Sequence, residues 1–313
     1  WLCAATGYLV FRGPDAQAVW HQGPVGLGNA LLRTTVESAG ERQPFSLDGQ
    51  TWITADARLD SRSLLLDALR SAGREVTSSE PDVVLILHAY ALWGENCLDR
   101  LHGDFAFVLW DGRERRLLCA RDRFGVKPLY YAHAGAKLLV SNTINALRLH
   151  PQLPATLDEE VIGHYLLFGL RPAQSDATTF AAIRRLRPAH VLTTDFNGMQ
   201  LRRYWEAPLK PITLRRAHSQ DLVAEFRALF DQAVADRLRT DQIGAALSGG
   251  MDSTSIAATA HVLLKATGRN FVLRGATIAY ERLIPDEEGK YAQQVAELPP
   301  GLGHVIELVA VEV

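Results

Sequence analysis

Six residues of this chain carry the spacing of an anion-binding turn: Ser248-Gly249-Gly250-Met251-Asp252-Ser253. Two adjacent glycines let a backbone come close to a ligand, and hydroxyls on either side can donate to it. Before the turn runs Gln242-Ile243-Gly244-Ala245-Ala246-Leu247, short, mostly apolar and bounded by Thr240-Asp241, which predicts a buried strand. After it, Ser253 to Lys265 is rich in Ala, Leu and Ile and closes on Gly268, which predicts a helix. Strand, glycine turn and helix in that order aim free N–H groups and a positive dipole end at the turn, and phosphate is the natural guest. A Walker A loop would place Lys before its Ser or Thr; here that place holds Asp252. A carboxylate beside a phosphate repels it unless a cation joins them. Asp252 is therefore the expected ligand of Mg²⁺ carried on a pyrophosphate, with Ser248 and Ser253 as further donors.

The elements that position this turn belong to a chain of 313 residues, long enough for two cores. A net charge of −2 argues against a nucleic-acid or anionic-membrane partner. Cys3, Cys97 and Cys119 are widely spaced with no CxxC, which fits a reducing cytoplasm and argues against a disulfide or zinc framework. No apolar run approaches the roughly 18 residues of a membrane span, so the expectation is a soluble, cytoplasmic protein. The chain opens on Trp1 and stops in the apolar run from Val305 to Val313, and is expected to be a piece cut at both ends and inactive alone.

Residues 1 to about 150 alternate short β-like runs with turn signals at Gly26-Leu27-Gly28, Leu47-Asp48-Gly49 and Trp110-Asp111-Gly112. Helical periods interrupt them at Ser61 to Leu69 and Pro81 to Trp93. Many strands with two helices predict a layered α+β domain with a sheet core. A further helix is expected from Ala155 to Leu170, its apolar side carrying Leu157, Val161, Ile162, Tyr165 and Leu166, and then a hairpin, Val191 to Asp195 with Gln200 to Tyr204, turned at Asn197-Gly198. Arg184, Arg185 and Arg187 read as a solvated or interdomain face. Pro208 and Pro211 mark a linker, and the boundary is set at 1–208 and 209–313. Ser219 to Arg239 is an N-capped helix with an apolar stripe of Leu222, Phe226, Leu229, Phe230, Ala233, Val234 and Leu238. Strand Phe271 to Ala279, helix Asp286 to Leu298 and strand His304 to Val311 complete a βαβαβ order, which implies parallel strands and a nucleotide at their carboxyl ends.

The turn at Ser248 to Ser253 resembles the SGGxDS pyrophosphate loop of the N-type ATP pyrophosphatases. In the first half, Arg12-Gly13-Pro14-Asp15, Gly103 to Asp111 and Arg121-Asp122-Arg123-Phe124-Gly125-Val126-Lys127-Pro128-Leu129-Tyr130-Tyr131 resemble the class II glutamine amidotransferase domain at the head of asparagine synthetases. Each piece alone also reads as a strand with an Asp-Gly turn or a Gly/Pro bend; together, in family order, they cover nearly the whole chain. The resemblance implies an Ntn-type αββα sandwich followed by a Rossmann-like α/β parallel-sheet domain. It implies ATP and Mg²⁺ as cofactors, Leu247, Ser248, Gly249, Gly250, Asp252, Ser253 and Ile278 as nucleotide-binding residues, and Asp252 as the metal ligand. It assigns no catalytic residue.

Several positions depart from the family pattern. The family nucleophile is a Cys whose own α-amino group is the base. Here Trp1 stands first, and Cys3 reads as an ordinary small apolar residue. The family's Asn-Gly-Glu-Ile-Tyr-Asn stretch aligns with Ala55-Asp56-Ala57-Arg58-Leu59-Asp60, so an oxyanion donor becomes the methyl of Ala55 and Asp56 brings an acid toward the site. His102 stands where the family has an acidic residue. The first half is thus expected not to hydrolyse glutamine. The expected function is an asparagine-synthetase-like, AMP-forming ligase that joins a small-molecule or peptide carboxylate to ammonia or an amine, with a homodimer left open. Its rivals are a true glutamine-hydrolysing asparagine synthetase and a non-catalytic nucleotide-binding scaffold. Among the ligases, the Ala55 to Asp60 segment favours a cyclase similar to β-lactam synthetases and lasso-peptide cyclases.

Overall fold

The computed structural model describes residues 1–169, 175–208, 219–248, 250–279, 291 and 309–312. They divide into two compact units, Trp1–Lys210 and Pro211–Val313.

The first unit opens with helix α1 (Leu2–Tyr8), strands β1 (Ala16–Gln22), β2 (Val25–Leu31), β3 (Phe45–Ser46) and β4 (Thr51–Asp60), and helices α2 (Arg62–Ser71) and α3 (Asp82–Trp93). Then come β5 (His102–Asp111), β6 (Arg116–Arg121), β7 (Tyr130–Ala134), β8 (Lys137–Ser141), α4 (Ile144–Arg148), α5 (Glu159–Phe168), β9 (Ile183–Arg185), β10 (His190–Asp195) and β11 (Gly198–Arg203). Six strands form one antiparallel sheet in the order β11-β10-β6-β5-β4-β3. Side chains alternate across it. Ala55 faces Phe107, Phe107 faces Ala120, and Ala120 faces Val191. This row lies in one core with Leu65 and Leu69 of α2 and Leu85 and Ile86 of α3.

Positions of opposite parity, Ala106, Cys119 and Leu192, pack with Leu129, Tyr131 and Leu186 in the layer of a second sheet, β8-β7-β9. The far side of that sheet, Ala132, Ala134 and Leu139, packs on Leu147 of α4. The layers are therefore helix, sheet, sheet, helix, the expected αββα sandwich. Helix α3 is apolar on nearly every side because it is buried on nearly every side. Its first residue, Asp82, is buried too: it accepts from the Leu59 N–H at 2.9 Å and pairs with Arg62, which pins the end of β4 to the helix layer.

Some local expectations need correction. Gly26-Leu27-Gly28 is the interior of β2 and not a turn; the chain reverses at Gly23-Pro24, where Gly23 has φ +56°. Gly28 is needed for closeness instead, since a Cβ there would lie 2.1 Å from the Thr6 hydroxyl of α1. Helix α5 is shorter than Ala155 to Leu170, with Asp158 as its cap accepting from the Val161 N–H at 3.1 Å. Of its anticipated apolar side only Val161 is buried; Leu157, Tyr165 and Leu166 are exposed. The β10–β11 hairpin pairs Asp195 with Gly198, so its two-residue turn is Phe196-Asn197.

In the second unit, α6 (Ser219–Ala235) stops before Arg237 and Arg239, and Leu222, Phe226 and Leu229 of its anticipated stripe are exposed. Strands β12 (Gln242–Ala246), β13 (Val272–Ala279) and β14 (Val309–Glu312) pair in parallel in that order, with α7 (Met251–Ala266) between the first two. Leu264 of α7 packs with Phe271, Leu273 and Ile243. Strand β12 is half-covered rather than buried: Ile243 and Ala245 face the core and Gln242, Gly244 and Ala246 do not. The anticipated helix Asp286 to Leu298, apart from helical Tyr291, and residues 304–308 of the last anticipated strand lie outside the described residues.

Candidate functional site

The turn between β12 and α7 sits at the carboxyl end of the parallel strands. Leu247, buried, continues β12 by one bond, its N–H donating to the Ala276 carbonyl at 2.8 Å. Gly250 caps α7 in extended conformation, and Asp252 lies exposed in the first helical turn. No side chain caps this helix, so its leading N–H groups face outward. The Ser248 and Ser253 hydroxyls converge at 3.2 Å, and Ser253 Oγ also meets the Ser248 N–H at 3.2 Å, which closes the turn into a ring. A Cβ at Gly250 would stand 3.2 Å from Ser248 Oγ, so glycine leaves the concave side open. Exposed donors, a carboxylate at their edge and a backbone bare of side chain make a set that fits a magnesium-bound pyrophosphate. Gly249 lies outside the described residues. Ile278 lies in β13 opposite Val311, at the same end of the sheet.

Two polar residues near this end carry no motif and were not legible in the sequence. The Thr277 hydroxyl of β13, on a side chain only 5% exposed, and the Thr254 hydroxyl of α7 are both buried and have no partner.

The first unit contains a cavity of about 1240 Å³. Thr54, Asp56 and Arg58 of β4, Asn29 of β2, Asp104 of β5 and Lys127 border it. Ala55 borders the cavity as well, with a methyl and no donor, and also packs in the core shared with α2 and α3. Its neighbour Asp56 is in the same lining, and its charge is not loose: Lys127 Nζ lies 2.6 Å from Asp56 Oδ1. Arg58 pairs with Asp104 in the same wall. His102 Nδ1 meets the Arg123 guanidinium at 3.2 Å, and burial together with that cation holds the imidazole below its usual pKa.

Lys127 belongs to the Arg121–Tyr131 stretch, whose geometry explains its composition. Asp122, fully buried, accepts from the N–H groups of Phe124, Val126 and Lys127 at 2.9 to 3.1 Å. Arg121 donates to the carbonyls of Lys127 and Leu186 at 2.6 and 2.7 Å. The loop is thus a rigid bracket that delivers one ammonium to the cavity. Cys3 lies exposed on α1 and not in the core, whereas burial pushes the Cys97 and Cys119 thiols up to about 12.

Comparison with known proteins matches these two regions separately. A family model described as glutamine amidotransferase domain covers residues 2–205, and one described as asparagine synthase covers residues 225–305. Asparagine synthetase [glutamine-hydrolyzing] 3 of Bacillus subtilis is 35% identical over 96% of this chain and 48% of its own length. Amidase chyE of Penicillium rubens is 30% identical over 79% of this chain and 36% of its own. The chain spans about half the length, or less, of the curated relatives it matches. A solved glutamine phosphoribosylpyrophosphate amidotransferase from B. subtilis, complexed with ADP and GMP, aligns with 92% of this chain and 67% of its own at 13% identity and a TM-score of 0.42.

Proposed function

This chain belongs to the glutamine amidotransferase family, continued by an asparagine synthase segment, and from that premise we propose that it serves an ATP-dependent carbon–nitrogen ligase. The observation that carries the proposal is the Ser248-to-Ser253 turn, with Asp252 beside uncapped helix N–H groups at the carboxyl end of parallel strands. Leu247, Ser248, Gly249, Gly250, Asp252, Ser253 and Ile278 hold the nucleotide, and Asp252 takes the Mg²⁺. Bound Mg-ATP supplies activation of a carboxylate with release of pyrophosphate. What the chain's own residues contribute is position and charge: hydroxyls and N–H groups oriented toward the leaving phosphates, and a carboxylate that is useful there only with a cation bridging it. In the intact protein, Asp252→Asn is expected to abolish ATP–pyrophosphate exchange without lowering thermal stability, because the side chain is exposed. Exchange at the wild-type rate in that variant overturns the assignment.

The acceptor is a small-molecule or peptide carboxylate and the nitrogen comes from ammonia or an amine, with glutamine hydrolysis absent. Three features support its absence: Ala55 brings only a methyl to the cavity wall, Asp56 beside it is an acid paired to Lys127, and His102 is held by Arg123. Loss of an oxyanion donor alone lowers such rates by roughly 10²–10³. The second reading, a glutamine-hydrolysing asparagine synthetase, is favoured by the name of the 35% identical B. subtilis relative. Glutamate release from glutamine with Mg-ATP, measured beside AMP formation, separates the two. Matching rates return the protein to the second reading.

A further inference from the structure

The turn of the second unit holds itself closed with the same hydroxyls that a phosphate would use. Ser253 has one hydroxyl proton, and it donates to the Gly250 carbonyl at 3.2 Å. The same oxygen accepts from the Ser248 N–H and meets the Ser248 hydroxyl, each at 3.2 Å, and the Gly250 N–H reaches Ser248 Oγ at 3.4 Å. These bonds stand at the long end of the usual range, whereas the Leu247 N–H just before the turn reaches the Ala276 carbonyl at 2.8 Å. The ring is complete but slack. A phosphate oxygen that accepts from the Ser253 hydroxyl takes that donor away from the Gly250 carbonyl, which keeps only the Thr254 N–H at 3.2 Å. This carbonyl is the first acceptor of α7, so the loss loosens the very end of the helix that faces the ligand.

One hydroxyl is placed to make good the loss. Thr254 follows Gly250 by four residues, and a helical Thr can turn its hydroxyl onto the carbonyl four residues before it. Thr254 lies on the stripe of α7 that continues through Ala257, His261 and Leu264, and its Oγ1 is buried without a partner. A buried hydroxyl left unpaired is unfavourable, so a bond gained there is favoured. Being buried, it does not meet the ligand; the acceptor within its reach is the chain's own Gly250 carbonyl.

We propose that Thr254 is a positioning residue of the turn: when the Ser253 hydroxyl swings to a bound phosphate, the Thr254 hydroxyl replaces it on the Gly250 carbonyl and holds the start of α7 in place. The inference rests on the reading of this turn as a pyrophosphate site, and its test keeps the two apart. Magnesium pyrophosphate is titrated calorimetrically into the intact protein and into its Asp252→Asn, Thr254→Val, Thr254→Ala and Thr254→Ser variants, and each ligand-free protein is melted alongside. Thr254→Val should bind roughly tenfold more weakly, the loss of one hydrogen bond, yet melt no lower than wild type, because the hydroxyl it removes has no partner in the free protein. Thr254→Ser keeps the hydroxyl and should keep the affinity. Should Thr254→Val fail to fold, Thr254→Ala carries the same expectation for binding. The decisive background is Ser253→Ala. There the Gly250 carbonyl lacks its side-chain donor before any ligand arrives, so Thr254 bonds it in both states, and adding Thr254→Val should weaken binding by less than about twofold. A threonine that merely packs would cost the same factor with and without Ser253. Wild-type affinity in Thr254→Val, or an equal loss in both backgrounds, overturns the inference. If wild type binds magnesium pyrophosphate and Asp252→Asn does not, such a result removes this inference alone; if wild type does not bind it, the reading of the turn falls and this inference with it.

Discussion

The six-stranded sheet of the first unit is covered on both faces, by α2 and α3 on one and by the second sheet on the other. In the second unit α7 covers one face of β12 and β13, while Val272, Arg274 and Ala276 on the other are exposed among the described residues. The chemistry follows the opposite order. In the well-packed unit the groups that could act on a ligand are bound to one another, Asp56 to Lys127, Arg58 to Asp104, His102 to Arg123. In the second unit Ser248 and Asp252 are exposed, and the leading amides of α7 have no side-chain cap. A fold keeps its shape through groups that satisfy each other, and reacts through groups that do not. The comparison teaches that, among the described residues, the ligand-facing charges named in the first unit are tied to one another while those of the Ser248–Ser253 turn are open.

That division can be broken most sharply in the core. Phe107 is fully buried between Ala55 and Ala120 of the neighbouring strands, so Phe107→Ala should destabilise the first unit by about 3–5 kcal/mol. All six tryptophans lie between Trp1 and Trp205, which makes tryptophan fluorescence a reporter of the first unit alone. The fluorescence transition should move to lower denaturant in Phe107→Ala and stay in place in Leu264→Ala, whose side chain packs on Phe271 and Leu273 of the second unit. A shift of that transition in Leu264→Ala would mean that the two units unfold together and that the comparison is drawn in the wrong place.

Legibility in the sequence followed the range of the forces involved. The pyrophosphate turn was readable because strand, glycines, Asp252 and helix are contiguous, and local backbone geometry sets the arrangement. The αββα layering was readable only through resemblance, because which face of β4 meets which layer depends on pairing between distant strands. A one-residue choice of face decides whether Ala55 or Asp56 packs in the core with α2 and α3, and only the register Ala55–Phe107–Ala120 fixes it. The glycines at 26 and 28 misled because glycine serves two ends, turning and closeness, and the Thr6 contact that demands closeness comes from α1. Lys127 was visible as part of a motif but had no role until Asp122 and Arg121 bent the loop toward β4. Thr277 and Thr254 carried no signal, since nothing in a sequence marks a hydroxyl that ends up without a partner.

A gentler test of the same division uses acid. His88 of α3, His102 of β5 and His190 of β10 all have their pKa lowered from the usual 6.5, in each case first by burial and then by neighbouring cations: Arg74 at His88, Arg123 at His102, Arg187 and Arg203 at His190. All three lie in the first unit. The sign follows from linkage. Below pH 6.5 the unfolded chain takes up protons that the folded unit holds more weakly, so stability falls as pH drops through that value and levels off below the folded pKa values. Carboxylates titrate mostly lower, near 4, so the window between about pH 7.5 and about pH 5.5 belongs to imidazoles, these three and His150 of the same unit, which burial, Lys137 and the terminal amine also lower. His88 and His102 are partly exposed, which keeps the effect well below that of Phe107→Ala. The tryptophan-detected melting temperature should therefore decline modestly across this window, and replacing His88, whose Nδ1 is buried without a partner, by Gln should flatten the decline. An unchanged slope in the His88→Gln, His102→Gln, His190→Gln triple variant would place the acid sensitivity outside these three rings and remove protonation as a way to tell the units apart.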